Sequence, residues 1–216
     1  MTDTTDHVEP ERLAKEQGPD GLIDLIVRNQ NWANAKKLAD PEFFHRLIPG
    51  QNPPYFLVGC VDSRVLVEHL FELEPGQILV HRNVANQTRE NDLSFQSSLQ
   101  FAVEELHVQH IIVKGHYGCG GVAAAMGPER SDMIGDWVAP IRAIQHDHAR
   151  EIAGSDDPAK TLSELNVRAQ VEALARNPVV RKAWASGAKL CIHGWAYGIG
   201  DGLVRPVCDP ISGPLD

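Results

Sequence analysis

The apolar positions of the chain change their period at about residue 50. Before it, Leu22, Ile26 and Ala33 recur at roughly helical spacing between Gly21 and Asn34, which predicts a helix. Pro41 opens a second, short helix containing Phe43, Phe44 and Leu47. Residues 1 to about 10 are polar and are expected to be loose. The run Ile48-Pro-Gly-Gln-Asn-Pro-Pro54 then breaks the pattern. It separates an N-terminal helical arm, residues 1–50, from a body spanning residues 51–216.

In the body, apolar runs of four to seven residues alternate with helical stretches. Strands are expected at 55–61, 77–81, 110–113, 188–193 and 202–207, with a helical turn at 65–70. A helix capped by Asn91 or Asp92 carries Phe95, Leu99, Ala102, Val103 and Leu106 on one face. Further helices are expected at 122–126, 132–153 and 161–176, the last capped by Thr161 or Ser163, with a short one after Asn177-Pro178. This alternation predicts one α/β domain, a mainly parallel central β-sheet flanked by helices on both sides, preceded by the arm.

Composition narrows the function classes. With 43% hydrophobic residues, the 216-residue chain can bury a sizeable core. Twenty basic against 29 acidic side chains give a net charge of -9, which repels a phosphate backbone and argues against nucleic acid as a partner. No stretch approaches the ~18 to 20 apolar residues of a membrane helix. The start Met-Thr-Asp-Thr-Thr-Asp-His is acidic, poor in arginine and lacks an apolar segment, so a cytoplasmic location is expected. In that setting the four cysteines, at 60, 119, 191 and 208, point to metal or catalytic use rather than disulfides.

Two strand ends concentrate the chemistry. Tyr55 to Cys60 leads into Cys60-Val-Asp62-Ser-Arg64, and His110 to Val113 leads into Gly-His116-Tyr-Gly-Cys119-Gly-Gly. Ligands of open α/β sheets bind at the carboxyl ends of strands. Cys60, His116 and Cys119 supply the thiolate and imidazole groups zinc favours, in the number that leaves a catalytic fourth position open. Spacing alone leaves buried core cysteines as the other reading. Asp62 lies two residues beyond Cys60 and can reach that fourth position or accept a hydrogen bond from water there. Arg64 can hold the carboxylate away by a bidentate pair, so that Asp62 switches between opening and closing the site.

Taken together, Cys-Val-Asp-Ser-Arg-Val, His-Arg-Asn-Val-Ala-Asn and Gly-His-Tyr-Gly-Cys-Gly-Gly-Val resemble the motifs of β-class carbonic anhydrases. Asn166-Val-x-x-Gln170-Val and His193-Gly-Trp-x-Tyr197 resemble two later motifs of the same family. The resemblance implies Zn2+ on Cys60, His116 and Cys119, with water or hydroxide as fourth ligand, Asp62 and Arg64 as the catalytic pair, and Gln51 positioning substrate. It implies reversible hydration of carbon dioxide to bicarbonate and a proton by zinc-bound hydroxide, in a homodimer or homotetramer whose N-terminal helices extend across the partner. Val84, Leu79 and Phe101 are candidates for an apolar carbon dioxide pocket. Arg82 and Tyr197 match two positions of a regulatory bicarbonate pocket found in part of the family, whose tryptophan is Leu57 here. Hydrolysis of carbonyl sulfide or carbon disulfide at the same zinc, and a non-catalytic zinc-stabilised module, are the alternatives.

Overall fold

The computed structural model describes residues 21–215, and the loose start expected over residues 1–10 lies outside them. Two compact units divide after Gly50. In the first, helix α1 spans Gly21–Ala39, five residues beyond the expected end at Asn34. The extension Ala-Lys-Lys-Leu-Ala is built of strong helix formers and places Lys36 and Lys37 at the negative end of the helix dipole. The side chain of Leu22 lies outside the described residues, and Ile26 is exposed rather than inward. After Pro41 the chain forms a turn and a short 3-10 segment, His45–Leu47, in place of a regular helix. Asp40 favours the turn by accepting from the Glu42 amide at 3.1 Å. Trp32, Phe43 and Phe44 pack edge to face around it.

The second unit is a five-stranded sheet in the order β2-β1-β3-β4-β5. Strands β1 (Tyr55–Cys60), β2 (Ile78–Asn83), β3 (His110–His116) and β4 (Cys191–Tyr197) are parallel, and β5 (Val204–Pro206) closes the edge antiparallel. Strands β3 and β4 run three and four residues further than their apolar runs, to His116 and Tyr197. Parallel pairing carries the polar ends along once the apolar residues are in register.

The long helices cover one face unequally with the other. Phe56, Val58, Ile111, Val113 and Ile192 pack against α3 (Leu93–Gln100) and α7 (Pro158–Arg176) and against Val180 of α8 (Pro178–Ala185). On the opposite face Leu57 and Ile112 meet Val67 of the single-turn helix α2 (Val67–Leu70), with Phe71 and Trp195 at the margin. Helices α4 (Gly120–Met126), α5 (Met133–Asp147) and α6 (Ala149–Ala153) build a further cluster around Cys60 and Cys119.

Helix ends follow local chemistry. Asp92 caps α3, accepting from the Ser94 and Phe95 amides at 3.0 and 3.3 Å, and Phe95, Leu99, Ala102 and Val103 are buried as the periodicity requires. The last turn of that stripe, Phe101–Glu105, is a π-helix. The helix expected over 132–153 is divided at His148, whose φ of −106° and ψ of 22° leave the α range. Helix α7 starts earlier than expected, because Asp157 caps it through the Lys160 amide and Pro158 takes the first helical position. Thr161 and Ser163, the expected caps, bond back to the carbonyls of Asp157 and Ala159.

Helix α7 approaches the sheet closely where two strands lack side chains. A Cβ on Gly115 would stand 2.6 Å from Val167 Cγ2, and one on Gly194 would stand 2.6 Å from Cys208 Sγ and 3.1 Å from Val167 Cγ1. Gly115→Ala is therefore expected to destabilise the protein by about 1–3 kcal/mol through overpacking, read as a lower urea midpoint with an unchanged slope.

Candidate active site

Strands β1 and β3 are neighbours in the sheet, and their carboxyl ends carry Cys60 and His116. Gly118, at φ +71°, turns the chain so that Cys119 becomes the residue before α4. A residue with a side chain resists that conformation. The turn brings Cys60 Sγ to 3.9 Å from Cys119 Sγ. A nitrogen of His116 joins them, all three ligand atoms lying within 4.8 Å of one another. Two sulfurs on one tetrahedral zinc stand about 3.8 Å apart, given a metal–sulfur distance of about 2.3 Å.

The hydrogen bonds of the cluster leave one buried lone pair beside the thiols. His116 Nδ1 lies 3.2 Å from the Tyr117 carbonyl, a contact that places its proton on Nδ1. Its Nε2 is then a lone pair, buried and without a hydrogen-bond partner. The contact with Cys119 lowers the pKa of Cys60, while the same contact, and then burial, raises that of Cys119. Two buried thiols can thus hold one negative charge between them, and a dication is needed for both to ionise. Backbone amides of Ala85 and Asp62 support Cys60, and those of Val122 and Gly121 support Cys119. Softness, spacing and the orphaned nitrogen all fit zinc.

Asp62 and Arg64 stand beside this cluster. Asp62 Oδ1 accepts from the Arg64 amide at 3.0 Å and from Nε at 2.9 Å, and Oδ2 accepts from Nη2 at 2.6 Å. The guanidinium holds the Asp62 carboxyl well below the usual carboxylate range. Oδ2 also lies 3.7 Å from His116 Nε2. The Arg64 guanidinium is open to solvent, which screens its pair with Asp62, so the importance of that pair is where it aims the carboxylate.

Two supports have roles that the sequence left open. Arg82, at the end of β2, donates from Nε to the Cys60 carbonyl at 2.9 Å and from Nη2 to the Asp62 carbonyl at 2.7 Å, clamping the loop that bears both residues. The segment Val84–Asn86 passes over the thiols with Ala85 and Asn86 at φ +60° and +50°, a left-handed conformation unusual for alanine. Asn166 on α7 holds it by donating to the Ala85 carbonyl at 3.0 Å, and Gln170 one turn later donates to Asn166 at 3.0 Å. A polar pair four residues apart on the buried face of a helix was the available signal.

The other expected residues are dispersed. Gln51 is exposed on the loop before β1, and no hydrogen bond joins it to the cluster among the described residues. Val84 packs with Cys60 and Cys119, whereas Leu79 joins the main core and Phe101 is half exposed. Leu57 is fully buried in an apolar cluster.

A parallel α/β sheet with Cys60 and His116 at the carboxyl ends of neighbouring strands and Cys119 in the turn that follows has the donor set of a soft-metal site, placed where such sheets bind ligands. Residues 55–204 match the family model for carbonic anhydrase. The carbonic anhydrase of Emericella nidulans is 38% identical over 184 residues, which cover 84% of this chain and 81% of the relative. That of Pseudomonas aeruginosa is 32% identical, covering 85% and 84%. Among solved structures, the Coccomyxa β-carbonic anhydrase in complex with acetazolamide superposes with a TM-score of 0.86 at 36% identity, covering 91% of this chain and 90% of that one. A tetrameric β-carbonic anhydrase of Sordaria macrospora gives 0.83 at 32% identity, covering 87% and 96%. The chain belongs to the carbonic anhydrase family, in its β class, and is an enzyme. Hydration of carbon dioxide is the general reaction of that family.

Replacing Arg82 with methionine keeps the apolar stem but releases both loop carbonyls. Hydration activity is expected to fall about 10- to 100-fold, the usual effect of losing an outer support, with little change in the thermal midpoint. A stopped-flow assay beside a melting curve checks both.

Proposed function

We propose that this chain catalyses the reversible hydration of carbon dioxide to bicarbonate and a proton, with Zn2+ held by Cys60, His116 and Cys119. The observation that carries the reading is the buried Nε2 of His116, without a protein partner, facing two sulfurs 3.9 Å apart. Zinc bound there lowers the pKa of a coordinated water and so supplies hydroxide near neutral pH, as it does at three-histidine carbonic anhydrase sites.

The chain's own residues do the rest. Asp62 is ionised and therefore only an acceptor, and its Oδ2 lies beside the ligand nitrogen. It accepts the O–H of the nucleophile and turns a lone pair toward the substrate carbon. Arg64 occupies both carboxylate oxygens, which keeps Asp62 in this role and out of the ligand set. Val84, Ala85 and Val122 give the thiol side an apolar lining from which bulk water is excluded. Gln51, exposed on its loop, is assigned to orienting substrate.

Assembly into a dimer or tetramer belongs to the same reading. It is supported by the tetrameric relatives from Sordaria macrospora and by exposed apolar side chains on the body, among them Leu93 and Met133. Leu25, Ile26 and Leu38 of α1 are likewise exposed, as expected of an arm that lies on a partner. The four free thiols favour a reducing, cytoplasmic setting. No helix among the described residues is long and apolar enough to cross a membrane.

Chelation of zinc should reduce hydration to the uncatalysed rate, and added Zn2+ should restore it; activity that survives complete metal removal would sink the reading. Arg64→Ala should lower kcat/KM by about 10- to 100-fold while zinc content stays constant. Unchanged kcat/KM in that variant would remove Arg64 from the assignment.

A further inference from the structure

A second cluster of metal-ligating side chains lies at the other end of the sheet. His110 opens β3, and Cys191 and His193 lie at the start of β4. The parallel register sets Cys191 opposite His110 and His193 opposite Ile112. Residues two apart on a strand share a face, so all three side chains project from one face of two adjacent strands. One ligand atom from each lies within 4.8 Å of the other two. His110 Nδ1 and His193 Nε2 are 3.1 Å apart. His110 and His116 stand six residues apart on the strand. At about 3.3 Å per residue that is roughly 20 Å, so the cluster is separate from the site already described.

Its surroundings hold the rings in place without competing for them. Tyr55, opposite His110 in β1, stacks on it with centroids 5.7 Å apart and planes 28° apart. Trp195 flanks His193 at 5.7 Å. Among the described residues, no carboxylate forms a hydrogen bond or ion pair with either histidine, and Cys191 Sγ has no hydrogen-bond partner. Burial, followed by the neighbouring charge of His110, lowers the His193 pKa, favouring its neutral, lone-pair-bearing ring. Burial raises the Cys191 thiol, so its ionisation awaits a cation. A single shared proton can join the two imidazoles, but it leaves the adjacent thiol unused; a thiophilic cation engages all three.

We propose that His110, Cys191 and His193 form a second metal site, for a borderline-soft divalent transition ion such as Zn2+. Two imidazoles and a thiolate match zinc's ligand preferences and leave one coordination position open. The bound ion cross-links β3 to β4 at the end of the sheet opposite the catalytic cluster. Because the unfolded chain cannot assemble this geometry, occupation stabilises the fold without entering the chemistry.

The test uses the full-length protein, loaded with excess ZnCl2, passed through gel filtration into metal-free buffer, and analysed for zinc per chain. Cys191→Ser and His193→Gln should each carry one zinc fewer than the wild type, with circular dichroism confirming that each is folded. Equal zinc content in the wild type and both folded variants would overturn the proposal. A Cys60→Ser/Cys119→Ser protein separates it from the catalytic reading. If only that protein loses an ion, the catalytic cluster alone binds zinc and the second site is rejected. If it loses none while Cys191→Ser loses one, the second site stands and the first reading fails. On cobalt substitution, the double variant should retain a thiolate-to-cobalt absorption band that disappears when Cys191→Ser is added; a band that persists would also reject Cys191 as a ligand.

Discussion

Two thiols and an imidazole lone pair are buried together at one edge of the sheet, and that association is unfavourable without a cation. Their contact favours ionisation of Cys60 and opposes that of Cys119, so the two thiols do not both ionise unaided. The imidazole gives its proton from Nδ1 to the Tyr117 carbonyl, which leaves Nε2 beside the sulfurs as an unpartnered lone pair. Much of the local architecture can be understood as support for this arrangement. Backbone amides face the sulfurs, a left-handed glycine returns the chain to the same centre, and an arginine grips two carbonyls of the ligand-bearing loop.

The sheet contributes position and the helices contribute exclusion. Adjacent parallel strands bring Cys60 and His116 to the same edge although they are distant in sequence. Helix α7 crosses close to the two glycines that follow the apolar parts of β3 and β4, and from there Asn166 reaches the Ala85 carbonyl of the segment packed beside the thiols. One helix therefore packs the core with Val167, Val171 and Leu174 while governing the backbone of the site with Asn166 and Gln170. The carboxylate and guanidinium stand at the solvent side of this assembly, where their mutual grip sets an orientation more than it adds stability.

The order of strands and helices was legible because buried parallel strands are short apolar runs and amphipathic helices show their stripe. The inward row Phe95, Leu99, Ala102 and Val103 is the clearest instance. The Cys60, His116 and Cys119 cluster was legible because cysteine and histidine stand at or just past the ends of two such runs. Boundaries were less so: the apolar period stops at Val113, yet pairing with β4 carries β3 to His116. The cap of α7 moved to Asp157 because a proline at the next position favours that start over a hydroxyl three residues later. The roles of Arg82, Asn166 and Gln170 depend on contacts across 20 to 82 residues of sequence, which no local pattern encodes. Helical cover also proved unequal on the two faces, since hydrophobic runs do not reveal what lies against them.

The left-handed turn at Ala85 ties the site's precision to the cooperativity of the whole fold. An alanine held at φ +60° would relax if released, and Asn166 on α7 helps hold it there. Loosening the loop therefore requires loosening a helix whose apolar side is part of the main core. Small thermal openings of the kind that let peripheral loops fray are thereby suppressed at the thiols. Under stress the catalytic edge is set to keep its shape until the surrounding body melts, and then to lose it in the same transition.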